Sequence, residues 1–586
     1  MSVNIIGISA LFHDAACCIL KDGKLIAAAE EERFTRIKAD PSMPGNAFKY
    51  CLAEAGLSLP DIDCVAYYED PVKKLARQLW SGVLGNSPDL IRSHSPRRVE
   101  WQIREQLGYE GEIKYIDHHL SHAASSFCFS GYEEAAILTV DGVGEWATTA
   151  YGTGTKNKVG LFEEVQFPDS LGLLYSTITS YLGFEVNEGE YKVMGLAPYG
   201  KPVYVDKVRQ LLEMAEEGQY RLNMKYFGFL KGHCMYTEDI ADLFGELPRK
   251  KDSLITQFHQ DIAKSLQVVL EEVLLEKSIH LYKKTGMENL CMAGGVALNC
   301  VANGQILKKG PFKRLFVQPA ANDAGGALGA AAMAHIAITN NLPSIEKLSH
   351  VYLGPSYSSG KVQKLLRSTS LKFSDFQNDP HELLRVTAEK IADGKVIGWF
   401  QGKMEFGPRS LGTRSILADP RDPDMRDRIN SMVKKRENFR PFAPAVLDFA
   451  VKEHFDLDHD SPYMLETCQV ISGLDLPAIT HVDRSARVQT VHKATNRKFF
   501  DLLEEFYRQT GCPILLNTSF NVKGEPIVCS PEDAIKCFIT TNIDCLVIED
   551  FIIDRDENDL VTLEFILLND SIGNASGITH DVYTFI

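Results

Sequence analysis

"NIIGISALFHDAACCILKDGKLIAAAEEE", residues 4–32, has the pattern of two apolar strands joined by a tight turn. The turn is the dipeptide Asp22-Gly23, which between apolar runs is typical of the type I′ turn of a β-hairpin. A related pattern recurs at "AAILTVDGVGEWATTAYGTG", residues 135–154, where an apolar strand ends in an acidic residue and a glycine and further strands follow. Because the two copies lie far apart in the chain, they predict a duplicated α/β domain rather than a solenoid of short repeats.

The length of the chain predicts more than one domain. It has 586 residues, and a single hydrophobic core stops growing at roughly 250–300 residues. The segment Ile338–Gly360 is polar and rich in turn-forming residues, which is typical of a linker. We therefore expect a boundary near residue 350 and two α/β domains, at 1–350 and 351–586.

The charge of the chain argues against nucleic acid as the main partner. Lys and Arg number 62 against 78 Asp and Glu, a formal net charge of −16. An extended polyanion is bound through an excess of cationic side chains, which this chain lacks as a whole. A local basic pocket for a small phosphorylated ligand is still compatible with this charge.

Cysteine usage and hydropathy favour a cytoplasmic protein that does not enter a membrane. The 13 cysteines are scattered, are odd in number and form no C-x-x-C, so a disulfide framework is not expected. The N-terminus lacks the basic region of a signal peptide, and His13 and Asp14 interrupt its apolar stretch. The apolar segment Ala324–Ile338 is shorter than the about 20 residues needed to cross a bilayer, so it predicts a buried helix.

Local patterns predict further elements. Residues 252–286 have the apolar periodicity of a long amphipathic helix with an Asp/Ser cap, and "ENLCMAGGVALNC" then predicts a strand, a turn at Gly294-Gly295 and a helix. Such a glycine turn lets the backbone approach a ligand closely. After residue 350, "ELLRVTAEKIADGKVIGWFQGKMEFGPRSLGTRSILADPR" predicts a helix, a strand and a loop rich in glycine and arginine. The last thirty or so residues contain no recognisable chemistry.

Two histidines are candidates for a metal site. His118 and His122 are four residues apart, so on a helix both rings project from one face, although helix-surface or core histidines are the alternative. A zinc protease of the H-E-x-x-H type is disfavoured because His119 stands in place of the glutamate. Carboxylates from elsewhere would be needed: Asp141 ends a predicted strand, and Asp323 precedes the predicted buried helix, where it could instead be an N-cap. Imidazole and carboxylate ligands suit a borderline divalent metal such as iron or zinc.

The common phosphate-binding motifs are absent from the sequence. No Gly-Lys pair is followed by Ser or Thr, as a P-loop requires, and G-x-G-x-x-G does not occur. A nucleotide would therefore have to bind in another kind of pocket.

Eleven motifs, in order along nearly the whole chain, resemble a known family. They are similar to the signatures of the O-carbamoyltransferases of the nodulation protein U, cephalosporin carbamoyltransferase and tobramycin carbamoyltransferase type. The motifs are "GISALFHDAACCIL", "EEERFTRIK", "HHLSHAASSF", "VDGVGEW", "EGEYKVMGLAPYG", "AGGVALNC", "NDAGGALGAA", "GPRSLGTRSILADPR", "FRPFAPAVL", "RVQTV" and "LLNTSFNVKGEPIV".

The resemblance implies a fold and a reaction. It implies a duplicated N-terminal domain of the actin and sugar-kinase type, similar to TsaD, and a YrdC-like C-terminal domain. In the family, the C-terminal domain uses ATP, with magnesium, and carbamoyl phosphate to make carbamoyl adenylate. The N-terminal domain then transfers the carbamoyl group to a hydroxyl of a small molecule, such as a natural product or antibiotic, and holds iron or another divalent metal.

The resemblance also assigns roles to residues. It implies His13 and Asp14 as the catalytic pair at the acceptor hydroxyl. The implied metal ligands are His118, His122, Asp141 and Asp323. The residues implied to line the adenylate cleft are Glu188, Lys192, Gly195, Gly294, Gly295 and Asn299. In the second domain, the implied phosphate-binding and nucleotide-binding residues are Arg409, Lys434, Arg440, Arg487, Asn517, Ser519 and Asn521.

Two other functions remain open from the sequence. The first is a threonylcarbamoyl-transfer enzyme acting on tRNA, because the same two folds serve that pathway, and the acidic charge balance speaks against it. The second is a non-catalytic ATP-binding scaffold, which the arginine-rich loop and the histidine pair disfavour. A homo-oligomer is compatible with the sequence, which does not identify the acceptor.

Overall fold

The computed structural model describes residues 2–83, 94–156, 158–231, 234–343, 347–434, 437 and 439–560. The predicted lack of chemistry at the C-terminus concerns residues that lie mostly outside this part. The chain forms two compact units. Among the described residues, the first contains residues up to Glu31 and Ala39–Leu348, and the second contains Glu32–Lys38 and residues 349–560.

The first unit mixes strands and helices. Its strands are β1 (Asn4–Ser9), β2 (Ala16–Lys21), β3 (Lys24–Glu30), β4 (Cys64–Tyr67), β5 (Glu112–Tyr115), β6 (Glu134–Val140), β7 (Ala147–Thr155), β8 (Lys158–Gln166), β9 (Leu212–Met214), β10 (Tyr220–Leu222), β11 (Asn289–Ala293) and β12 (Arg314–Val317). Its helices are α2 (Gly45–Ala55), α3 (Pro71–Ser81), α4 (Arg97–Leu107), α5 (His118–Phe127), α6 (Leu171–Tyr181), α7 (Glu190–Leu196), α8 (Val205–Val208), α9 (Asp239–Phe244), α10 (Gln257–Thr285), α11 (Cys300–Lys309) and α12 (Asp323–Thr339). The short helix α1 (Glu32–Thr35) precedes them in the chain and belongs to the second unit.

Two sheets of the first unit have the same topology. In the first sheet the order is β3-β2-β1-β4-β5, with antiparallel pairs among β1, β2 and β3 and parallel pairs from β1 to β4 to β5. In the second sheet the order is β8-β7-β6-β11-β12, with β6, β7 and β8 antiparallel and β6, β11 and β12 parallel. The strands therefore correspond one to one, and the predicted duplication is confirmed.

The hairpin of the first copy forms where the sequence predicts it. Asp22 and Gly23 join β2 to β3 and have φ angles of 51° and 74°. A type I′ turn needs positive φ at both central residues, which Asp and Gly tolerate. A different pair of connections carries candidate residues: His13 lies between β1 and β2, and Asp141 lies in the corresponding connection of the second copy, between β6 and β7.

The long helix begins later than the predicted start at Asp252. Helix α10 begins at Gln257 after the N-cap Thr256 and ends at Gly286, which adopts the left-handed C-cap conformation. Asp252 has a φ of 61° and cannot belong to a right-handed helix. The predicted Asp/Ser cap is therefore wrong, because Thr256 occupies the N-cap position of the helix.

Helix α12 packs at unusually short range because its residues are small. A Cβ on Gly329 would lie 1.7 Å from the Ser121 carbonyl oxygen of α5, and a Cβ on Gly7 of β1 would lie 1.9 Å from the Ala327 carbonyl oxygen. The helix is mostly buried as far as His335, but its last turn is not, since Ile338 is 37% exposed; the predicted burial of residues 324–338 is therefore confirmed except in that turn. No helix among the described residues is long and apolar enough to cross a membrane.

The second unit is also α/β. Its strands are β13 (Ser374–Asp375), β14 (Ile397–Phe400), β15 (Arg414–Ala418), β16 (Ala443–Leu447), β17 (Cys468–Gln469), β18 (Ser485–Ala486), β19 (Gln489–Val491), β20 (Ile514–Ser519), β21 (Cys545–Ile548) and β22 (Phe551–Asp554). Besides α1, its helices are α13 (Ser359–Arg367), α14 (Pro380–Ala392), α15 (Met425–Ile429), α16 (Val451–His454), α17 (Arg497–Thr510) and α18 (Pro531–Ile539). The predicted helix, strand and loop correspond to α14, β14 and the connection from β14 to β15, and the predicted α/β class is confirmed.

Four adjacent strands of the second unit meet, at one end of the main sheet, the loops that carry the candidate phosphate-binding residues. The main sheet has the order β13-β22-β21-β14-β15-β20-β16-β19. Strand β20 is antiparallel to both β15 and β16, and β19 is parallel to β16. The end of β20 therefore lies beside the starts of β15, β16 and β19, where the glycine-rich and arginine-rich segments are attached.

Candidate functional site

Four side chains of the first unit converge on one point. Their potential ligand atoms all lie within 4.8 Å of one another, and all four residues are buried. They are His118, His122, Asp141 and Asp323. The structure thus brings together two residues of α5, the residue that follows β6 and the first residue of α12.

The distances within this cluster are those of groups facing a common centre. The Nε2 atoms of His118 and His122 are 3.1 Å apart. His118 Nε2 lies 3.3 Å from Asp141 Oδ2, and His122 Nε2 lies 3.6 Å from Asp323 Oδ1. Asp323 is not the N-cap of α12, since the N-cap position is Asn322, and the alternative role raised from the sequence is therefore wrong.

Neighbouring groups hold the cluster in place. The buried Glu145 carboxylate accepts hydrogen bonds from the backbone N–H of His118, at 2.9 and 3.1 Å, and from that of Asp70, at 2.7 Å. A carboxylate at the N-terminus of α5 also interacts favourably with the helix dipole. On the carboxylate side, the backbone N–H of Gly295 donates to Asp141 Oδ1 at 2.6 Å.

The charges in the cluster favour a cation. Burial acts to lower the pKa of His118, but the charges of Asp323 and Asp141 outweigh it and raise that pKa to about 9. Burial acts to raise the pKa of Asp141, but the neighbouring His118 and His122 hold it below its usual range. Two carboxylates placed so close together in the interior need a positive charge between them.

The four side chains fit a divalent metal ion. Two imidazole nitrogens and two carboxylate oxygens form a ligand set suited to borderline metals. Asp323 Oδ1 is buried and has no hydrogen-bond partner among the described residues, although it faces both histidines. A buried carboxylate oxygen without a hydrogen bond is costly, and a metal ion would satisfy it.

His119 is separate from this ligand set. Its Nδ1 lies 2.7 Å from Thr139 Oγ1 of β6. Burial, together with the neighbouring His118 and His122, lowers the pKa of His119, so its ring is neutral. The side chain packs beside the cluster and contacts β6, the strand that Asp141 follows.

His13 and Asp14 form a pair in the connection from β1 to β2. His13 Nδ1 lies 2.9 Å from Asp14 Oδ2. Burial acts to lower the pKa of His13, but Asp14, followed by Asp323 and Asp141, raises it to about 9. Two backbone bonds fix this connection, because the N–H groups of Leu11 and Ala15 donate to the carbonyl oxygens of Pro41 and Asp40.

The predicted cleft residues of the first unit lie in two segments. Lys192 and Gly195 are on α7, and Glu188 precedes this helix. Gly294 and Gly295 follow β11, whose end lies beside the end of β6. These segments are linked by the contact between Met194 Sδ of α7 and Cys300 Sγ of α11, at 3.8 Å.

Two of these residues have local structural roles. Gly294 has a φ of 94°, and a Cβ there would lie 2.3 Å from the Val140 carbonyl oxygen, so only glycine fits. Asn299 caps α11 by accepting from the Ala302 N–H at 3.0 Å. Its amide also exchanges two hydrogen bonds with that of Gln267, each 3.0 Å long, so it is already well bonded.

The predicted nucleotide-binding and phosphate-binding residues of the second unit lie at the same end of four adjacent strands. Ser519 ends β20, and Asn521 follows it. Lys434 Nζ donates to Ser519 Oγ at 3.1 Å and to Asn521 Oδ1 at 2.8 Å, which brings these three residues into one contact group.

The remaining candidates lie at neighbouring positions of the same edge. Arg409 precedes β15, Arg440 precedes β16 and Arg487 precedes β19. Asn517, on β20, donates from its Nδ2 to Gln489 Oε1 at 2.9 Å. The topology therefore directs three arginine-bearing segments to one end of adjacent strands, as a multiply charged anion would require.

Sequence reasoning missed Glu405 and Arg414, which organise the loop that carries Arg409. Glu405 Oε1 accepts from the backbone N–H of Leu411, Thr413 and Arg414, at 2.7, 2.9 and 3.3 Å. The fully buried Arg414 donates to four carbonyl oxygens of the surrounding turns. The only sequence signal was that both are charged residues within the loop rich in glycine and arginine.

Comparison with known families identifies the chain. Residues 4–332 match the family model for the carbamoyltransferase N-terminus, and residues 388–555 match that for the carbamoyltransferase C-terminus. The chain belongs to the carbamoyltransferase family. This carbamoyltransferase is therefore a transferase enzyme, and the scaffold alternative is wrong.

Relatives of this carbamoyltransferase cover most of its length. An uncharacterized protein of Synechocystis sp. is 45% identical and covers 94% of this chain and 97% of its own length. The nodulation protein NolNO of Sinorhizobium fredii is 42% identical, with coverage of 93% of this chain and 79% of NolNO. The crystal structure of full-length HypF in its phosphate- and nucleotide-bound form is a distant match, with 12% identity, a TM-score of 0.31 and coverage of 57% of this chain and 47% of that one.

Proposed function

We propose that this carbamoyltransferase is an ATP-dependent O-carbamoyltransferase that works in the cytoplasm on a hydroxyl of a small molecule. The second unit, in the proposed domain 351–586, makes carbamoyl adenylate from ATP and carbamoyl phosphate. The first unit, in the proposed domain 1–350, transfers the carbamoyl group to the acceptor. The observation that carries this proposal is that the two units hold different groups. The second unit has arginine and lysine residues at one end of four adjacent strands, and the first unit has a buried cluster of histidines and carboxylates.

The cationic residues at this end of the strands suit the activation step. Water first cleaves carbamoyl phosphate to carbamate and inorganic phosphate. A carbamate oxygen then forms a bond to the α-phosphorus of ATP, and the bond from that phosphorus to the bridging oxygen breaks, which releases pyrophosphate. Arg409, Arg440 and Arg487 bind phosphate oxygens in pairs through their forked N–H groups, and Lys434 contributes a point charge. Mg²⁺ accompanies the triphosphate, and Asn517, Ser519 and Asn521 provide hydrogen bonds to the nucleotide.

The first unit suits the transfer step. The acceptor hydroxyl oxygen forms a bond to the carbamoyl carbon, the bond from that carbon to AMP breaks, and the hydroxyl proton passes to His13 Nε2. Asp14 holds the other ring nitrogen of His13 and orients the ring. A divalent metal, which we propose is Fe(II), would be held by His118, His122, Asp141 and Asp323 and would supply Lewis acidity for the carbamoyl or phosphate oxygens.

The protonation of His13 fits this role once the carboxylates are neutralised. The charges of Asp323 and Asp141 contribute to the raised pKa of His13. A cation that offsets those charges lowers this pKa toward neutrality, where a general base is most effective. Glu188, Lys192 and Gly195, with the turn at Gly294-Gly295 and Asn299, would line the adenylate cleft of this unit.

Two variants test the division of labour. Arg440→Ala should abolish pyrophosphate release from ATP in the presence of carbamoyl phosphate, whereas His13→Ala should retain this release and lose carbamoyl transfer. Both activities are measured on the purified enzyme, with transfer followed by mass spectrometry on a panel of hydroxylated natural products. Loss of transfer alone in both variants would contradict the assignment of activation to the second unit.

Threonylcarbamoyl transfer to tRNA is the alternative function. The net charge of −16 disfavours a direct complex with an extended polyanion. Incubation with ATP, carbamoyl phosphate and radiolabelled tRNA should give no modified tRNA, and a labelled carbamoyl adduct on tRNA would favour the alternative.

A further inference from the structure

The first four residues of the motif "EEERFTRIK", residues 30–38, are buried, and the carbamoyl-transfer steps described above do not explain why. Glu32 and Arg33 are 4% and 3% exposed and form an ion pair of 2.8 Å. Burying two charges costs free energy that their attraction repays only when further hydrogen bonds satisfy them. The hydrogen bonds that Arg33 makes beyond this ion pair therefore indicate the role of the pair.

Arg33 holds the start of the arginine-bearing loop of the second unit. Its Nη2 donates to the Gly407 carbonyl oxygen at 2.9 Å. Gly407 has a φ of 117°, a conformation that side chains other than glycine rarely adopt. The hydrogen bond thus fixes the direction in which the chain leaves this turn, two residues before Arg409.

Apolar packing supports the same attachment. Phe34, next to Arg33, packs against a cluster formed by Met404, Ile527 and Cys529. Met404 lies three residues before Gly407, so α1 contacts this loop through an apolar side chain as well as through a guanidinium group. The attachment of α1 to this loop therefore consists of a hydrogen bond and apolar contacts together.

The other side of the loop is held by Glu405, which accepts hydrogen bonds from the backbone N–H groups of Leu411, Thr413 and Arg414, all after Arg409. Arg409 therefore lies between two buried anchors, the Arg33 contact before it and the Glu405 contacts after it. A phosphate-binding guanidinium must be held in one orientation for a paired interaction with an anion.

We propose that Arg33 is a positioning residue of the carbamoyl-activation site, which sets the turn at Gly407 and through it the orientation of Arg409. The proposal rests on the function proposed above for the second unit. It assigns to a segment from the N-terminal part of the chain a role in binding the phosphate-bearing substrates of that unit.

Arg36 offers a matched control within the same segment. Its guanidinium donates to the carbonyl oxygens of Ile527, at 2.6 Å, and Pro526, at 2.7 Å. These bonds are of the same kind as that of Arg33, an arginine donating to a backbone carbonyl, but they end outside the loop of residues 404–414. A general weakening of the α1 segment would follow from loss of either arginine.

The experiment compares Arg33→Ala, Arg33→Lys and Arg36→Ala by exchange of radiolabelled pyrophosphate into ATP, with ATP and carbamoyl phosphate varied separately. Arg33→Ala should raise the KM for at least one of these substrates by about tenfold, with a smaller fall in kcat, because Arg409 loses orientation for binding. Arg33→Lys keeps the charge beside Glu32, and so the fold, but lacks the planar fork; it should raise the same KM by about threefold or more. Arg36→Ala should stay within about twofold of the original enzyme.

The outcomes separate this proposal from the proposed function. If the unaltered enzyme shows no exchange that depends on carbamoyl phosphate, the proposed activation reaction is wrong. If the enzyme exchanges pyrophosphate but Arg33→Lys has unchanged KM values, or Arg36→Ala raises them as much as the Arg33 variants do, Arg33 does not position the loop. Should Arg33→Ala fail to fold, the comparison of Arg33→Lys with Arg36→Ala decides the question.

Discussion

At the scale of single residues, charge burial explains the arrangement of the candidate metal site. Asp141 and Asp323 are both nearly inaccessible to water and both face the Nε2 atoms of the histidine pair. Burying like charges together is unfavourable unless a cation compensates them. The cluster therefore depends on a positive charge, which protonated histidine supplies in part and a divalent metal would supply fully.

His122→Ala should remove the tightly bound metal and carbamoyl transfer while leaving pyrophosphate release intact. The alanine removes one of the four proposed ligands, and the two carboxylates are then left with one histidine beside them. Metal content is measured by inductively coupled plasma mass spectrometry. His280→Ala, a histidine of α10 in contact with Glu163, is the control and should keep the metal. Full metal content in His122→Ala would remove this residue from the ligand set.

Glu145→Gln should weaken metal binding by about tenfold, because groups that orient metal ligands typically affect affinity to this degree. The substitution keeps one oxygen acceptor but replaces the other, so the two-oxygen contact with the His118 N–H is lost. Affinity is measured by competition with a chromogenic chelator. The exposed Glu134→Gln of β6 is the control, and equal affinity in both variants would contradict the positioning role of Glu145.

At the scale of elements, the close packing of α12 against α5 decides whether the four candidate ligands meet. Helix α5 carries both histidines and α12 carries Asp323, and small residues let their backbones approach closely. A larger side chain at the crossing would separate the helices and so separate the ligands.

Gly329→Ala should lower the free energy of unfolding by about 2 kcal/mol or more and reduce metal content, because the added methyl group overlaps the Ser121 carbonyl oxygen. Urea denaturation and metal analysis are the measurements. Gly45→Ala, at the first position of α2 where a Cβ meets no atom within 4 Å, should be neutral or slightly stabilising. Normal stability and metal content in Gly329→Ala would show that the helices can separate without loss of the site.

Helix α10 buries a lysine, which predicts a pH dependence of stability. Lys277 Nζ donates to Tyr151 Oη at 3.0 Å and to the Gly218 carbonyl oxygen at 2.7 Å, but burial lowers its pKa to about 7. Between pH 7 and about 10.4, the ordinary pKa of lysine, the unfolded chain binds more protons at this position than the folded one does. Stability contributed by this group therefore rises with pH through that window.

Lys277→Met should flatten this rise, because the unfolded chain no longer binds a proton there. The difference in the free energy of unfolding between pH 7 and pH 9 should shrink by about 1 kcal/mol or more, since one pKa unit corresponds to about 1.4 kcal/mol. Denaturation at several pH values measures it, and the exposed Lys283→Met of the same helix is the control. An unchanged slope in Lys277→Met would mean that Lys277 keeps its ordinary pKa in the folded protein.

At the scale of the whole molecule, nearly all the cysteines are buried, and positive charge is concentrated locally in an acidic chain. All 13 cysteines are free, and 12 of them are buried while Cys234 is partly accessible. Although the net charge is −16, several arginines and a lysine are directed to one strand edge of the second unit. A strongly acidic protein can therefore still hold phosphate-bearing substrates in a local cationic pocket.

The native protein should expose at most one thiol to a water-soluble thiol reagent such as DTNB, and 13 thiols after denaturation. Burial keeps the other thiols protonated and out of contact with the reagent. The melting temperature should be the same with and without dithiothreitol, because no disulfide stabilises the fold. Fewer than 13 thiols in denaturant under non-reducing conditions would indicate a disulfide in the isolated protein.

Local sequence determined the elements whose causes are local. The dipeptide Asp22-Gly23 predicted its hairpin because positive φ angles are a property of those two residues. The spacing of His118 and His122 predicted a shared helix face, and the repeated strand pattern predicted the duplication. At the start of α10 the predicted boundary was wrong, because the local sequence signal for a helix cap did not match the backbone conformation there.

Only the tertiary structure decided which distant residues meet. Asp141 and Asp323 reach the histidines because parallel strands place their ends together and because α12 packs closely against α5, and neither condition is visible in a local pattern. The same holds for Glu145 and Arg33, whose contacts with the backbone of His118 and of Gly407 appear only in the folded chain. The physical reason is that turns and helices follow from interactions within a few residues, whereas a site depends on long-range packing and on the compensation of buried charge.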